Sequence, residues 1–125
     1  PVVSTNHNTK HVLAFSFNYG SRAEIIQATQ KIAQAVQAGE LRVEDITEQT
    51  MNEALMTASL PEPELLIRTS GEVRLSNFML WQLAYTEFFF TDINWPDFSE
   101  EHLLEAVESF QGRDRRFGGL KGGEA

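Results

Sequence analysis

Two arginines six positions apart, Arg68 and Arg74, with Ser76 two positions further on, are the residues of this chain best suited to hold an anion. Guanidinium groups bind phosphate oxygens through paired, charge-assisted N–H bonds, and a hydroxyl adds one more donor. The three follow Leu65, Leu66 and Ile67, an apolar run of strand type. They precede Asn77 and an aromatic stretch, Phe78-Met79-Leu80-Trp81-Gln82-Leu83-Ala84-Tyr85, whose composition suits a buried helix. In an α/β protein the carboxyl ends of strands are where ligands collect, and the free N–H groups of a helix start favour anions. The chemistry these residues suggest is binding of a phosphate or diphosphate.

Several elements must position them. Residues 12–17 (Val-Leu-Ala-Phe-Ser-Phe) read as a buried strand, followed by a turn at Asn18-Tyr19-Gly20. Ser21 and Glu24 have capping-box spacing. Ile25, Ala28, Ile32 and Val36 mark one apolar face of a helix ending at Gly39. Thr47 is expected to cap a second helix to about residue 57, stopped by Pro61 and Pro63, with Met51, Ala54 and Leu55 inward. Residues 65–68 form the next strand, residues 77–88 a third helix, and residues 88–90 an extended piece. Ser99 caps a fourth helix with Leu103, Leu104, Val107 and Phe110 on its inner face and Gly112 as its stop. Long crossovers between strands imply parallel pairing. A parallel sheet is normally covered on both faces by helices and needs more strands than this pattern supplies. The fold class is therefore α/β, part of a parallel-sheet domain flanked by helices and incomplete by itself, with a bare strand edge.

Composition narrows the function. The 125 residues are 42% hydrophobic and 22% charged, ordinary for a globular domain. A net charge of −8 argues against nucleic-acid binding. Four of the ten basic residues nevertheless fall between Arg113 and Lys121, so local positive charge on an acidic protein suits a small anionic ligand. With no cysteine there is no disulfide, thiol nucleophile or cysteine–zinc site, which fits a cytoplasmic protein. No apolar run has the length of a membrane span. His7, His11 and His102 lack ligand-like spacing and are given no role.

The stretch from Glu64 to Phe78 resembles the cis-prenyltransferases of undecaprenyl diphosphate synthase type, whose late motif runs approximately D-x-x-I-R-T-x-G-E-x-R-x-S-N-F. Glu64 stands where the family usually has aspartate, and Ser70 where glycine is common. Phe17-Asn18-Tyr19-Gly20-Ser21-Arg22-Ala23-Glu24-Ile25 resembles a second motif, N-Y-G-G-R-x-E-I, and Trp81-Gln82-Leu83-Ala84-Tyr85-Thr86-Glu87-Phe88 a third, W-Q-x-x-Y-x-E. Trp95-Pro96-Asp97-Phe98 and Arg115-Arg116-Phe117-Gly118-Gly119 resemble the closing segments. The family's first motif, H-x-x-x-x-M-D-G-N-x-R-W-A, is absent. The resemblance therefore implies the carboxyl-terminal half of such an enzyme over residues 1–119, with a disordered tail at 120–125.

The resemblance carries roles. Arg68, Arg74 and Ser76 would grip the diphosphate of isopentenyl diphosphate; Asn18 and Arg22 would support that site. Arg116 and Gly118 would reach across a homodimer to the partner's substrate. Glu87 would help place Mg²⁺ in the neighbouring subunit's site. The allylic diphosphate site and the catalytic residues would lie in the missing half, so the chain alone would be inactive. The product would be a polyprenyl diphosphate, specifically an undecaprenyl carrier lipid for cell-wall glycans, with peripheral membrane contact through that lipid. The alternative within the family is a non-catalytic dimerisation or regulatory subunit. Outside it, the alternative is a phosphate-binding α/β domain of unrelated function. Plainer readings stand beside each residue. Arg68 and Arg74 pair with Glu64, Glu72 or Asp92; Glu87 is a solvated helix-end carboxylate; Asn18 and Arg22 serve turn and cap; Arg116 and Gly118 belong to a basic tail; and Trp81 and Tyr85 pack in a core or interface.

Overall fold

The computed structural model describes residues 11–113. Arg116, Gly118 and the tail lie outside the described residues. Helix α1 spans Ser21–Gln37. Its buried residues, Ser21, Glu24, Ala28 and Ile32, recur with helical period, while Ile25 and Val36 are only half-buried. It ends in a Schellman turn. Gly39 takes the left-handed φ of 75°, its N–H bonds to the Val36 carbonyl at 3.1 Å, and the Glu40 N–H reaches the Ala35 carbonyl at 2.9 Å.

A 3₁₀ turn at Val43–Asp45 leads to α2, Glu48–Ala54. Thr47 caps α2 as expected, its backbone N–H bonding the Thr50 hydroxyl at 2.9 Å. The helix stops at Ala54, earlier than the apolar pattern suggests. Leu55 turns to extended geometry, which buries its side chain and frees the Met56 N–H for the Glu24 carboxylate at 2.9 Å.

Strands β1, Leu65–Arg68, and β2, Glu87–Phe90, pair in parallel, with Leu65 opposite Glu87 and Arg68 opposite Phe90. The parallel arrangement matches the expectation, and every residue of both strands is half-buried rather than buried. The expected strand at 12–17 does not form. That segment carries no regular structure, and Phe15 and Phe17 are 74% and 85% exposed. A strand exists only by pairing, and no third strand lies beside β1 and β2 among the described residues.

The expected helix over 77–88 is also absent. Residues 76–85 form successive turns, and Glu87 opens β2 instead of closing a helix. Ser76, Asn77 and Met79 adopt left-handed φ values of 49°, 62° and 46°, which a right-handed helix cannot contain. Past Phe90, a second 3₁₀ turn at Trp95–Asp97 precedes α3, Glu100–Gln111. Ser99 caps α3, and the acceptor for its N–H is the His102 Nδ1 at 2.9 Å. Ala106 is fully buried where α3 meets β2, flanked by half-buried Val107 and Phe110, whereas Leu103 and Leu104 face outward. The core of the described residues is small, comprising Ala28, Ile32, Leu55, Leu83 and Ala106 with the polar pair Ser21 and Glu24.

Candidate functional site

Strand β1 delivers Arg68 to its carboxyl end, and the following loop folds back over it. One guanidinium nitrogen of Arg68 donates to the Arg74 carbonyl and the other reaches the Ser76 hydroxyl at 3.3 Å. The loop turns through Ser70 and Gly71, both left-handed, and is pinned to the strand exit of β2. The Ser70 N–H bonds the Ile93 carbonyl at 2.9 Å and the Gly71 N–H the Thr91 carbonyl at 3.0 Å. A side chain at Gly71 would meet the Asp92 carboxylate at 3.2 Å. Arg74 points outward, its side chain 64% exposed and ion-paired with Glu72. Arg68 and Ser76 thus come together as their spacing suggests, whereas Arg74 joins them through its backbone carbonyl and turns its guanidinium to Glu72. Leu66, Ile67, Leu75 and Phe78 join Arg68 and Ser76 around a recess of about 340 Å³. It has an apolar floor and a cationic, hydroxylic rim. The expected helix N-terminus is not part of it, because the N–H groups after Asn77 are bonded elsewhere: Phe78 to Leu75, Leu80 to the Ser21 hydroxyl.

The first turn of α1 is docked on the same loop. The Ser21 N–H donates to the Asn77 backbone carbonyl at 2.8 Å, and the Arg22 N–H to the Asn77 side-chain carbonyl at 2.9 Å. Arg22 is thereby tied through its backbone to Asn77, the residue after Ser76, and its side chain is exposed. Asn18 is exposed with φ of 50°, in the turn before α1.

Glu87 lies elsewhere. In parallel register it is level with Leu65, three residues or roughly 10 Å along the strand from Arg68. Its carboxylate is not at a helix end but at the start of β2, and it is paired and only partly exposed. Arg113 binds it at 3.1 Å and also donates to the Phe88 carbonyl at 2.8 Å. Among the described residues no group of three His, Asp or Glu side chains gathers as a metal site. A single carboxylate already neutralised by a guanidinium does not make one. Trp81 and Tyr85 do not share a helix face. The Trp81 indole donates to Asn52 at 2.7 Å, and Tyr85 is 59% exposed.

Ser21 and Glu24 do not cap α1; Gly20 occupies the cap position. Glu24 is instead a buried carboxylate, 2% exposed, accepting from the Tyr19 hydroxyl, the Met56 N–H and the Gln82 amide. Burial pushes the Tyr19 hydroxyl above its ordinary value of 10.0, and the bond to Glu24 adds to that rise. This network and the Asn77 clasp are missed by motif spacing alone. The available signal was period: Ser21 and Glu24 fall on the same helical face as Ala28 and Ile32. A separate cleft of about 720 Å³ opens beside Asn52, Leu60, Trp81 and Gln82, with His11 but no lysine or arginine among the residues that line it.

Comparison with known proteins places this geometry in a family. A family model described as "putative undecaprenyl diphosphate synthase" matches residues 2–118. An isoprenyl transferase of Bacillus thuringiensis subsp. konkukian is 60% identical over 116 residues, covering 93% of this chain and 45% of the relative. An isoprenyl transferase of Geobacillus kaustophilus is 61% identical over 119 residues, covering 95% and 46%. The chain thus spans about half the length of the curated relatives it matches. Among solved structures, lavandulyl diphosphate synthase from Lavandula x intermedia, in complex with dimethylallyl diphosphate, superposes with a TM-score of 0.76 at 51% identity. That match covers 80% of this chain and 43% of that one. A match over nearly the whole chain establishes that this chain belongs to the cis-prenyltransferase family, undecaprenyl diphosphate synthase type.

Proposed function

We propose that this chain supplies the isopentenyl diphosphate site of a cis-prenyltransferase, an enzyme that condenses isopentenyl diphosphate with an allylic diphosphate and releases diphosphate. The observation that carries the reading is the placement of Arg68 and Ser76 on the rim of a recess whose floor is apolar, with Arg74 bonded to Arg68 through its backbone carbonyl and its guanidinium exposed. A five-carbon diphosphate has the matching halves: a charged head for the guanidiniums and hydroxyl, and a small hydrocarbon for Leu66, Leu75 and Phe78. Arg68 and Arg74 bind and orient the head; holding the nucleophilic double bond in one pose contributes by proximity and alignment. The product in this reading is a polyprenyl diphosphate, undecaprenyl diphosphate by the form of the motifs, made by a cytoplasmic homodimer that touches the membrane through its lipid. No helix among the described residues is long and apolar enough to cross a membrane.

Mg²⁺ belongs to the same proposal, yet the described residues do not fit it as a site. Glu87 would contribute one ligand after release from Arg113, and the remaining ligands would come from substrate phosphates and a second subunit. The allylic site, the catalytic groups and the contacts of Arg116 and Gly118 would require residues beyond those described.

Isothermal titration of the chain with isopentenyl diphosphate tests the reading. Saturable binding that is lost in Arg68→Ala, and weaker for inorganic diphosphate, is expected. No binding would leave a non-catalytic dimerisation subunit as the better account. For Glu87, two full-length mutants are mixed, one carrying Glu87→Ala and one disabled in the first motif. Activity returning on subunit exchange is expected, and no return despite demonstrated exchange removes the cross-subunit role.

A further inference from the structure

We propose that Asn77 is a positioning residue for the diphosphate subsite, clasping the first turn of α1 to the loop that presents Ser76 to Arg68. The inference deepens the reading above and rests on it for the identity of the ligand, but not for the clasp.

Three observations converge. Asn77 binds both leading N–H groups of α1, Ser21 through its backbone carbonyl at 2.8 Å and Arg22 through its side-chain carbonyl at 2.9 Å. Ser21 returns the contact, its hydroxyl accepting the Leu80 N–H at 2.9 Å. The loop is thus held to α1 at Asn77 and again at Leu80. Second, Ser76 and Asn77 both have left-handed φ, 49° and 62°. Two consecutive non-glycine residues in that region persist only where surrounding contacts hold them. Asparagine tolerates the region better than most residues. Third, the approach is close. A methyl group on Gly20 would stand 3.0 Å from the Asn77 side-chain amide. The clasp occupies the α1 terminus, so that terminus is not itself an anion site. Its effect is to fix the backbone immediately before it, where the Ser76 hydroxyl sits 3.3 Å from Arg68.

Three variants test this: Asn77→Ala, which removes the side-chain acceptor; Asn77→Asp, which keeps it; and Gly20→Ala, which crowds the clasp without altering Asn77. The first readout needs no ligand. The Arg68 guanidinium ¹⁵N–¹H resonances, assigned by their response to Ser76→Ala, should move in Asn77→Ala and Gly20→Ala and return toward the parent in Asn77→Asp. The Arg22 amide should lose hydrogen-exchange protection in the same two variants. The second readout is isopentenyl diphosphate affinity in a double-mutant cycle. Asn77→Ala should weaken binding about ten-fold in the parent and less than about two-fold in a Ser76→Ala background, because the residue acts through Ser76. A purely structural role predicts equal losses in both. Unmoved Arg68 resonances, or an additive cycle, overturn the proposal. If the parent binds no isopentenyl diphosphate, the reading of the ligand fails while the resonance and exchange results still decide the clasp.

Discussion

The Gln82 amide donates to the Glu24 carboxylate at 3.0 Å, joining residues 58 positions apart, and the same nitrogen donates to the Thr57 hydroxyl at 3.1 Å. Both donations fix the amide's orientation and leave its own oxygen buried without a partner. Glu24 also accepts from Tyr19 and Met56, so one carboxylate ties α1, the exit of α2 and the 76–85 turns together. Glu24→Ala strands all three donors and should destabilise the chain by about 3 kcal/mol or more, while Glu24→Gln should cost roughly half as much. Urea unfolding of the three proteins measures it, and a loss under about 0.5 kcal/mol in Glu24→Ala would contradict the network's importance.

Tyr19 supplies a pH dependence whose sign follows from its raised pKa. The neutral phenol is the form the fold favours, through burial first and the Glu24 bond second. Its contribution is full below the unfolded value of 10.0 and is lost as pH rises through the higher folded value. The parent should therefore lose stability as pH rises above 10.0 more steeply than Tyr19→Phe. Equal slopes in the two proteins would show that Tyr19 does not titrate differently on folding.

What was legible in the sequence depends on how local its cause is. Thr47 and Ser99 caps, the Leu65–Arg68 strand and the Gly39 stop arise from neighbours within a few positions, and they stand where spacing put them. The meeting of Arg68, Arg74 and Ser76 was legible because eight positions of loop close on themselves. The 77–88 stretch was not, because its apolar, breaker-free composition suits a helix. Its conformation is set by remote partners, Ser21, Glu24 and Asn52, that bind Leu80, Gln82 and Trp81. The 12–17 strand failed for a related reason: an apolar run marks a segment suited to a sheet but not whether a neighbour is there to pair.

Arg68 and Arg74 should separate in their effects. Arg68 supports the loop through the Arg74 carbonyl and Ser76, whereas the Arg74 guanidinium is exposed and pairs with Glu72. Both alanine variants should weaken isopentenyl diphosphate binding, by about ten- to hundred-fold for a lost charge-assisted contact. Arg74→Ala should leave stability within about 0.5 kcal/mol, and Arg68→Ala should cost about 1–2 kcal/mol more through its backbone partner. Calorimetric affinity and urea midpoints for both variants check this, and unchanged affinity in both would withdraw the site.

The chain alone should form no polyprenyl diphosphate from labelled isopentenyl and farnesyl diphosphates. The expectation follows from the proposed division of the enzyme, since the chain spans only 45% and 46% of the length of two curated relatives. Steady Mg²⁺-dependent product from the purified chain would refute it.

Arg113 should act as a latch between α3 and β2. It leaves the helix at Gly112 and makes three contacts: the Glu87 carboxylate at 3.1 Å, the Phe88 carbonyl at 2.8 Å and the Ser109 hydroxyl at 3.4 Å. The pair is partly exposed, at 38% for Arg113 and 25% for Glu87, so its Coulomb term is modest and screened by salt. The carbonyl bond is not screened in the same way, and it secures the strand on the side where α3 packs against it. Arg113→Ala should therefore cost about 1–2 kcal/mol, most of it persisting in molar salt, while Glu87→Gln should cost about 0.5 kcal/mol and lose even that at high salt. Urea unfolding at low and high sodium chloride compares them. If Arg113→Ala is as mild and as salt-sensitive as Glu87→Gln, the contact is a surface ion pair alone, and the carbonyl bond does not fasten the helix to the sheet.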